Sequence, residues 1–204
     1  MFVIPEDLPA RLYPLAWLVG SWQGEGIFAQ GENKHKQFII TTDFIASSND
    51  VKYQAEIIYN EKVWLSESGT LKIGDVRNCD KSIFENKTSS KNKIDSKNRI
   101  IPLNKEVSKT PLTHSLTFSL KNSREFSTEY SGWVSNGRIE FNSSKIRNLL
   151  SREKEISKQP ILSKRMYGYV KGDLYYAWDL AENLSNDKSA KLDSYISAIL
   201  KRRD

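Results

Sequence analysis

The chain of 204 residues contains one cysteine, two histidines and no long apolar run. A lone thiol, Cys79, cannot form an internal disulfide. With only His35 and His114 beside it, the sequence offers too few ligands for a zinc-type cluster. We therefore expect no bound metal and interpret both histidines as surface residues. No stretch approaches the roughly 20 apolar residues of a membrane span, and residues 1–7 lack the basic start of a secretory signal, which predicts a cytoplasmic protein.

Positive charge is concentrated in one stretch. Residues 76–111 contain nine lysines and arginines against four acids, which accounts for five of the six units of net positive charge. The remainder has no basic stretch interleaved with aromatics, so we expect no nucleic-acid partner. Because Lys, Asn and Ser dominate the basic stretch, we interpret residues of about 76–112 as a mobile insertion in a single domain spanning 1–204. The alternative is an arm that binds an anion, an acidic partner or a membrane surface.

Most of the remaining sequence alternates between apolar and polar residues. Residues 51–57 are typical of a strand with one buried face. The pairs Asn136–Gly137 and Lys171–Gly172 join such runs and indicate tight hairpins. The sequence therefore predicts an all-β fold of roughly ten antiparallel strands, in which successive hairpins favour an up-and-down barrel and a sandwich is the alternative. The interior of such a barrel is either filled or holds a small ligand.

A glycine-rich segment with one tryptophan needs a structural reason. It contains Gly20, Trp22, Gly24 and Gly26 directly behind an apolar run. Glycine weakens a strand unless the backbone bends sharply or another chain comes very close, and tryptophan fills a large apolar space. We interpret the segment as a strand that opens a curved sheet and closes one end of it with the indole.

The two ends of the chain carry other patterns. Residues 8–19 contain Pro9 and Pro14 among regularly spaced leucines, which suits short helical turns that cap the core. After a helix N-cap at Asn186 or Asp187, apolar residues recur with the spacing of one helix face. The sequence therefore predicts an amphipathic C-terminal helix whose apolar face carries Leu192, Tyr195, Ile196, Ile199 and Leu200.

Taken together, these segments resemble the nitrobindin family of fatty-acid-binding-protein-like barrels in the calycin group. The resemblance covers residues 12–75 and 113–202, and its motifs lie at residues 20–26, 67–72, 132–140 and 165–174. It implies a ten-stranded barrel whose cavity binds haem b. It further implies that a histidine of the C-terminal segment holds the iron and that the protein is a peroxynitrite isomerase.

Tyr195 departs from this family pattern. In the run 192–202, which resembles the segment of the family that ligates iron, tyrosine stands at the histidine position, so the resemblance implies that the iron ligand is missing. A neutral imidazole binds haem iron readily, whereas a phenol must first lose its proton. Tyrosinate ligation therefore normally needs a nearby cation. Lys154 resembles a family lysine near the haem edge, and an exposed strand lysine is the alternative for it.

Three hypotheses for function follow, and we identify no catalytic residue for any of them. The first is a barrel without cofactor that binds a small apolar ligand near Tyr195 and Lys154, or whose interior is filled. The second is a peroxynitrite isomerase-like protein that holds haem b through Tyr195 or without a protein ligand. The third is an interaction scaffold in which the basic insertion contacts a partner. Whether the protein is an enzyme stays open, as does its oligomeric state.

Overall fold

The computed structural model of the chain describes residues 6–29, 33–77, 112–124, 126–148, 162–181 and 192–203. Cys79 and Lys154 lie outside these ranges, as do residues 78–111 of the insertion predicted at about 76–112, whereas Val76 and Arg77 belong to the strand Lys62–Arg77. The predictions made for them therefore stay predictions.

Ten strands follow a short 3-10 helix. The helix covers Ala10–Leu15. The strands are β1 Gly20–Phe28, β2 Gln37–Ala46, β3 Asp50–Tyr59, β4 Lys62–Arg77, β5 Thr113–Asn122, β6 Phe126–Ser135, β7 Arg138–Asn148, β8 Leu162–Val170, β9 Asp173–Ala181 and β10 Asp193–Arg202.

The strands form one closed barrel in which each strand pairs antiparallel with its sequence neighbours, and β1 pairs with β10 to close the ring. The predicted ten-stranded antiparallel barrel is therefore confirmed. Both predicted hairpin turns have the positive φ angles that their residues tolerate, 48° and 72° at Asn136–Gly137 and 54° and 102° at Lys171–Gly172. Closure gives every strand a partner on both sides, although the β7–β8 pairing covers only Arg138–Asn142 of β7.

The predicted C-terminal helix is wrong, because residues 193–202 form β10. Ile196, Ala198 and Leu200 alternate into the core, while Ile199 is 47% exposed on the outer face. Ile196 and Leu200, which are four residues apart, fit a helix face and strand alternation equally well, whereas Ile199 fits only the helix face and lies outside. Pairing on both sides, with β1 and with β9, satisfies backbone groups that would otherwise be left on two open edges.

The predicted N-terminal cap is confirmed. Leucines of the 3-10 helix and its flanks are buried against one end of the barrel, which we call the closed end. Pro9 precedes the helix and Pro14 lies inside it, which keeps the helix short. The buried leucines are Leu8, Leu12, Leu15 and Leu18.

Trp22 closes this end from inside, as the glycine-rich segment predicts. Its indole is fully buried and donates a hydrogen bond from Nε1 to the carbonyl of Leu18 at 2.8 Å. The guanidinium of Arg202 lies over the indole, with Cζ 4.5 Å from the ring centroid, and donates to the carbonyls of Trp17 and Val19. The first and last strands are therefore fastened to the capping segment at one point.

Gly24 and Gly26 allow β1 to lie very close to β10. A Cβ at Gly24 would collide with the carbonyl oxygen of Ile199, and one at Gly26 with the Phe38 ring and the carbonyl of Ser197. A Cβ at Gly168 would meet no atom within 4 Å. Gly24 and Gly26 are therefore required by close approach, and Gly168 is not.

We predict that Gly24→Ala destabilises the protein by about 1–3 kcal/mol, because the strands must move apart to accept a methyl group. Gly168→Ala is the matched control, and it should be neutral or stabilising by up to about 1 kcal/mol. Urea unfolding of both variants tests this, and equal stabilities would contradict the close-approach explanation.

Candidate functional site

The end of the barrel opposite the 3-10 helix, which we call the mouth, is lined with aromatic side chains. β1, β3 and β5 end there, and β4 and β10 begin there. The rings lie on five different strands, and all but one are only partly buried. These mouth aromatics are Phe28, Tyr59, Trp64, Trp178 and Tyr195.

Two of these residues are directed to the mouth by irregularities in their strands. Trp64 has no partner in the β3–β4 register, which passes from Ile57 opposite Leu65 to Ile58 opposite Val63. Tyr195 is likewise skipped between Ser194 and Ile196 in the β9–β10 register. Such bulges leave an extra residue and redirect its side chain. Trp64 and Tyr195 therefore pack on the core although the inward-facing residues are their neighbours Leu65 and Ile196.

The mouth aromatics contact one another across the barrel. The Trp64 and Tyr195 ring centroids are 6.2 Å apart, although β4 and β10 are separated by β3, β2 and β1 in the ring of strands. Trp178 contacts Tyr195 edge to face at 5.1 Å, and Phe28 contacts Trp64 at 4.9 Å. The aromatic side chains thus extend over the mouth and leave half-buried faces at its surface.

A buried ion pair lies beneath the mouth aromatics. Arg165 on β8 and Glu67 on β4 meet across the lumen in a bidentate contact, with Nη1–Oε2 at 2.7 Å and Nη2–Oε1 at 2.6 Å. Their side chains are 1% and 3% exposed. Burial of both charges is stabilising only when each is paired and hydrogen-bonded, which the surrounding side chains provide.

Two hydroxyl groups accept further hydrogen bonds from the arginine. Arg165 donates from Nε to the Tyr130 hydroxyl and from Nη1 to the Tyr176 hydroxyl, both at 3.1 Å. Ser163 shares a hydrogen bond with Tyr130 at 2.9 Å and accepts one from the Trp178 indole at 2.8 Å. The guanidinium also lies 4.2 Å from the Trp178 ring centroid. This network joins the ion pair to the mouth.

Three phenols of the lumen stay neutral over a wide pH range. Burial raises the pKa of Tyr167 to about 12 and the pKa values of Tyr53 and Tyr176 well above the ordinary value. Burial alone would lower the pKa of Arg165, but the Glu67 carboxylate beside it raises this pKa. Tyr53 donates to Glu67 at 3.3 Å, whereas the Tyr167 hydroxyl has no hydrogen-bond partner among the described residues. The interior is thus a charged pair among neutral phenols.

Sequence reasoning located only part of this site. Tyr195 is at the mouth, but on a strand rather than a helix. Lys154 lies outside the described residues. Glu67 and Arg165 are the first residues of the family motifs at 67–72 and 165–174, and the sequence assigns neither of them a role in the site. A lone acid and a lone base on otherwise apolar strand faces were a signal that could have identified the pair.

The two histidines lie at opposite ends of the barrel. His114 pairs with Val134 near the closed end. His35 is exposed on the turn between β1 and β2 at the mouth, with φ 64° and its backbone N–H bonded to the carbonyl of Phe28 at 2.7 Å. Among the described residues no group of three or more His, Cys, Asp or Glu side chains could hold a metal ion. The described ranges contain no helix with the length and apolarity of a membrane span.

A large groove of about 750 Å³ lies outside the lumen. It crosses the outer faces of β1, β10, β9 and β8, and much of its lining is apolar. Its exposed apolar residues include Ile27, Val170, Tyr175 and Ile199. This outer groove is a second surface to which an apolar ligand could bind, separate from the mouth.

Comparison with known proteins agrees with this architecture. A crystal structure of Rv2717c from M. tuberculosis matches with a TM-score of 0.61 at 17% identity, covering 97% of this chain and 100% of that one, which establishes the fold class. The family model described as the THAP4-like, heme-binding beta-barrel domain matches residues 11–202. The chain therefore belongs to this nitrobindin-like family, and the resemblance seen in the sequence is confirmed.

Relatives with assigned names are similar over nearly the whole chain. A peroxynitrite isomerase of Renibacterium salmoninarum is 25% identical over 208 residues, covering 98% of this chain and 92% of that protein. A ferric nitrobindin-like protein of Beutenbergia cavernae is 25% identical over 201 residues, covering 88% and 90%.

We predict that Glu67→Gln destabilises the protein by about 3–5 kcal/mol, because it leaves the Arg165 charge buried without its partner. Asp43→Asn is the control, since its pair with Arg203 is partly exposed and 3.4 Å long, and it should cost no more than about 1 kcal/mol. Urea unfolding measures both. If Glu67→Gln unfolds outright, the double variant Glu67→Met/Arg165→Met should restore folding, and failure of that rescue would contradict the ion-pair explanation.

We also predict that the folded state loses stability as pH rises above about 10, where tyrosines of the unfolded chain ionise. The Tyr167 pKa is raised to about 12, so the folded state keeps a proton that the unfolded state releases. Relative to Tyr167→Phe, the wild type should lose about 1 kcal/mol between pH 9 and pH 11. Parallel stability profiles of the two proteins would contradict the shift.

Proposed function

We propose that this protein is a ligand-binding barrel that takes a small, flat, apolar molecule at the mouth and does not hold haem iron through a histidine. The observation that carries the proposal is the meeting of Trp64 and Tyr195 above the buried Arg165–Glu67 pair. Half-buried aromatic rings offer faces on which a flat ligand can stack.

The layer beneath the mouth limits how deep a ligand can enter the barrel. The Arg165–Glu67 pair crosses the lumen, and Trp178 lies directly on the guanidinium. A molecule that enters the mouth therefore meets the aromatic layer first and a hydrogen-bonded ionic layer behind it. Breaking the ionic layer would strand a buried charge, which is costly. This favours a ligand that stays among the mouth aromatics.

The side chains of the mouth do not fit a histidine-ligated haem. Tyr195, which the sequence resemblance sets at the position of the iron ligand, is a phenol in ring contact with two indoles at the mouth. Both histidines of the chain are described, and neither side chain lies among the mouth aromatics. An imidazole ligand could come only from His35, whose side chain is exposed on the neighbouring turn.

A second candidate function is haem binding through Tyr195, with chemistry like that of the relatives named peroxynitrite isomerase. It is favoured by the family match, whose description is heme-binding, and by the bulge that aims Tyr195 at the mouth. A phenolate can ligate ferric haem, as in catalase. The two candidates differ in whether Tyr195 contacts iron.

Haemin titration followed by visible spectra separates them. We predict that the wild type gives no sharp Soret band that depends on Tyr195, so that Tyr195→Phe and wild type have the same spectrum. A high-spin spectrum that Tyr195→Phe abolishes and His35→Ala preserves would establish the second candidate instead. A spectrum that His35→Ala abolishes would show ligation from the β1–β2 turn. Either result would contradict the proposal.

The positive test uses the neutral dye N-phenyl-1-naphthylamine and its quenching of tryptophan fluorescence. Binding should weaken in Trp64→Ala, which removes a stacking face. It should be unchanged in Ile199→Gln, which alters the outer groove. The reverse pattern would place the ligand outside the barrel and contradict the proposal.

A further inference from the structure

Two cations lie over the mouth aromatics, and we call them the rim cations. The guanidinium of Arg124 lies 4.4 Å from the Trp64 ring centroid, and Lys36 Nζ lies 5.7 Å from the Tyr59 ring centroid. Arg124 follows β5 and Lys36 precedes β2, so both flank the opening. Both side chains are exposed.

The rim cations are not neutralised within the described part of the chain. The ion pairs between described residues involve neither of them. Lys36 donates only a long hydrogen bond of 3.4 Å to the side chain of Asn33. The same rim carries Lys34 and Lys62 against the acids Glu61 and Asp193. Its described charges are therefore in basic excess.

Arg165, unlike the rim cations, is already neutralised by an acid of this chain. It is enclosed with Glu67 and bonded to two phenols, so the carboxylate of this chain already occupies the position that a ligand acid would need. An acidic group on a ligand would therefore find no unpaired cation at Arg165. The cations available to it are those of the rim.

We infer that the flat apolar ring of the mouth ligand carries one acidic group, so that the ring lies on Trp64 and Tyr195 while the acidic group meets Arg124 and Lys36. This inference rests on the proposed function and adds the charge and the orientation of the ligand. Arg124 now covers the Trp64 face. An incoming ring replaces it there, and the freed guanidinium pairs with the acid, for which its planar fork is suited.

Two dyes that share a ring skeleton test this inference. 8-Anilinonaphthalene-1-sulfonate carries a sulfonate, and N-phenyl-1-naphthylamine is its uncharged counterpart. The sulfonate should bind more tightly at low salt, and Arg124→Gln and Lys36→Gln should each weaken it about twofold to fivefold. Added salt should reduce the difference, since exposed charges are screened. Neither substitution should weaken binding of the neutral dye.

Lys171→Gln is the matched control, because Lys171 lies on the turn at the closed end. If Lys171→Gln and Arg124→Gln weaken sulfonate binding equally, the affinity depends only on the net charge of the protein, which would overturn the inference. Equal affinity for both dyes, with Trp64→Ala weakening each, would overturn the inference and leave the proposed function standing. Absence of binding that depends on Trp64 would overturn both.

Discussion

The buried pair of Arg165 and Glu67 is the contact on which the interior of this barrel depends. It joins β8 to β4 across the lumen, and each charge is compensated only while the other is present. Phenols take up further donors of the guanidinium, so the middle of the barrel is a polar layer of mostly satisfied groups. Trp178 lies on this layer and contacts Tyr195 above it. The ion pair therefore supports the mouth from below.

The mouth differs from the rest of the barrel because two strands depart there from strict alternation. Trp64 and Tyr195 are the extra residues of bulges on β4 and β10, and each packs on the core beside a neighbour that faces inward. Regular strands would have turned both rings toward solvent. The bulges instead bring an indole and a phenol together over the opening, where the rim cations Lys36 and Arg124 flank them. The site is thus built from irregularities on a regular frame.

Features with local causes could be predicted from the sequence. Alternation in residues 51–57 and the turn at Asn136–Gly137 each depend on neighbouring residues, and both appear in the structure. The run 192–200 was misassigned because its apolar spacing fits a helix face, and only pairing with β1 and β9 makes it a strand. The lone charges of Glu67 and Arg165 on apolar strand faces are visible in the sequence, but their contact is not, since the partners are 98 residues apart and only the closed barrel brings them together. The bulges were also beyond prediction, because a bulge follows from register across a strand pair.

The mouth is defined by the contact that Trp64 and Tyr195 make across it in the protein without ligand. Nuclear Overhauser spectroscopy on the full chain measures this contact directly, with Tyr195→Phe and Trp64→Phe identifying the two sets of ring protons. We expect cross-peaks between the Trp64 indole and the Tyr195 ring, whose centroids are 6.2 Å apart. Absence of these cross-peaks, while those between Trp178 and Tyr195 remain, would show that the mouth is open and that the two rings do not meet.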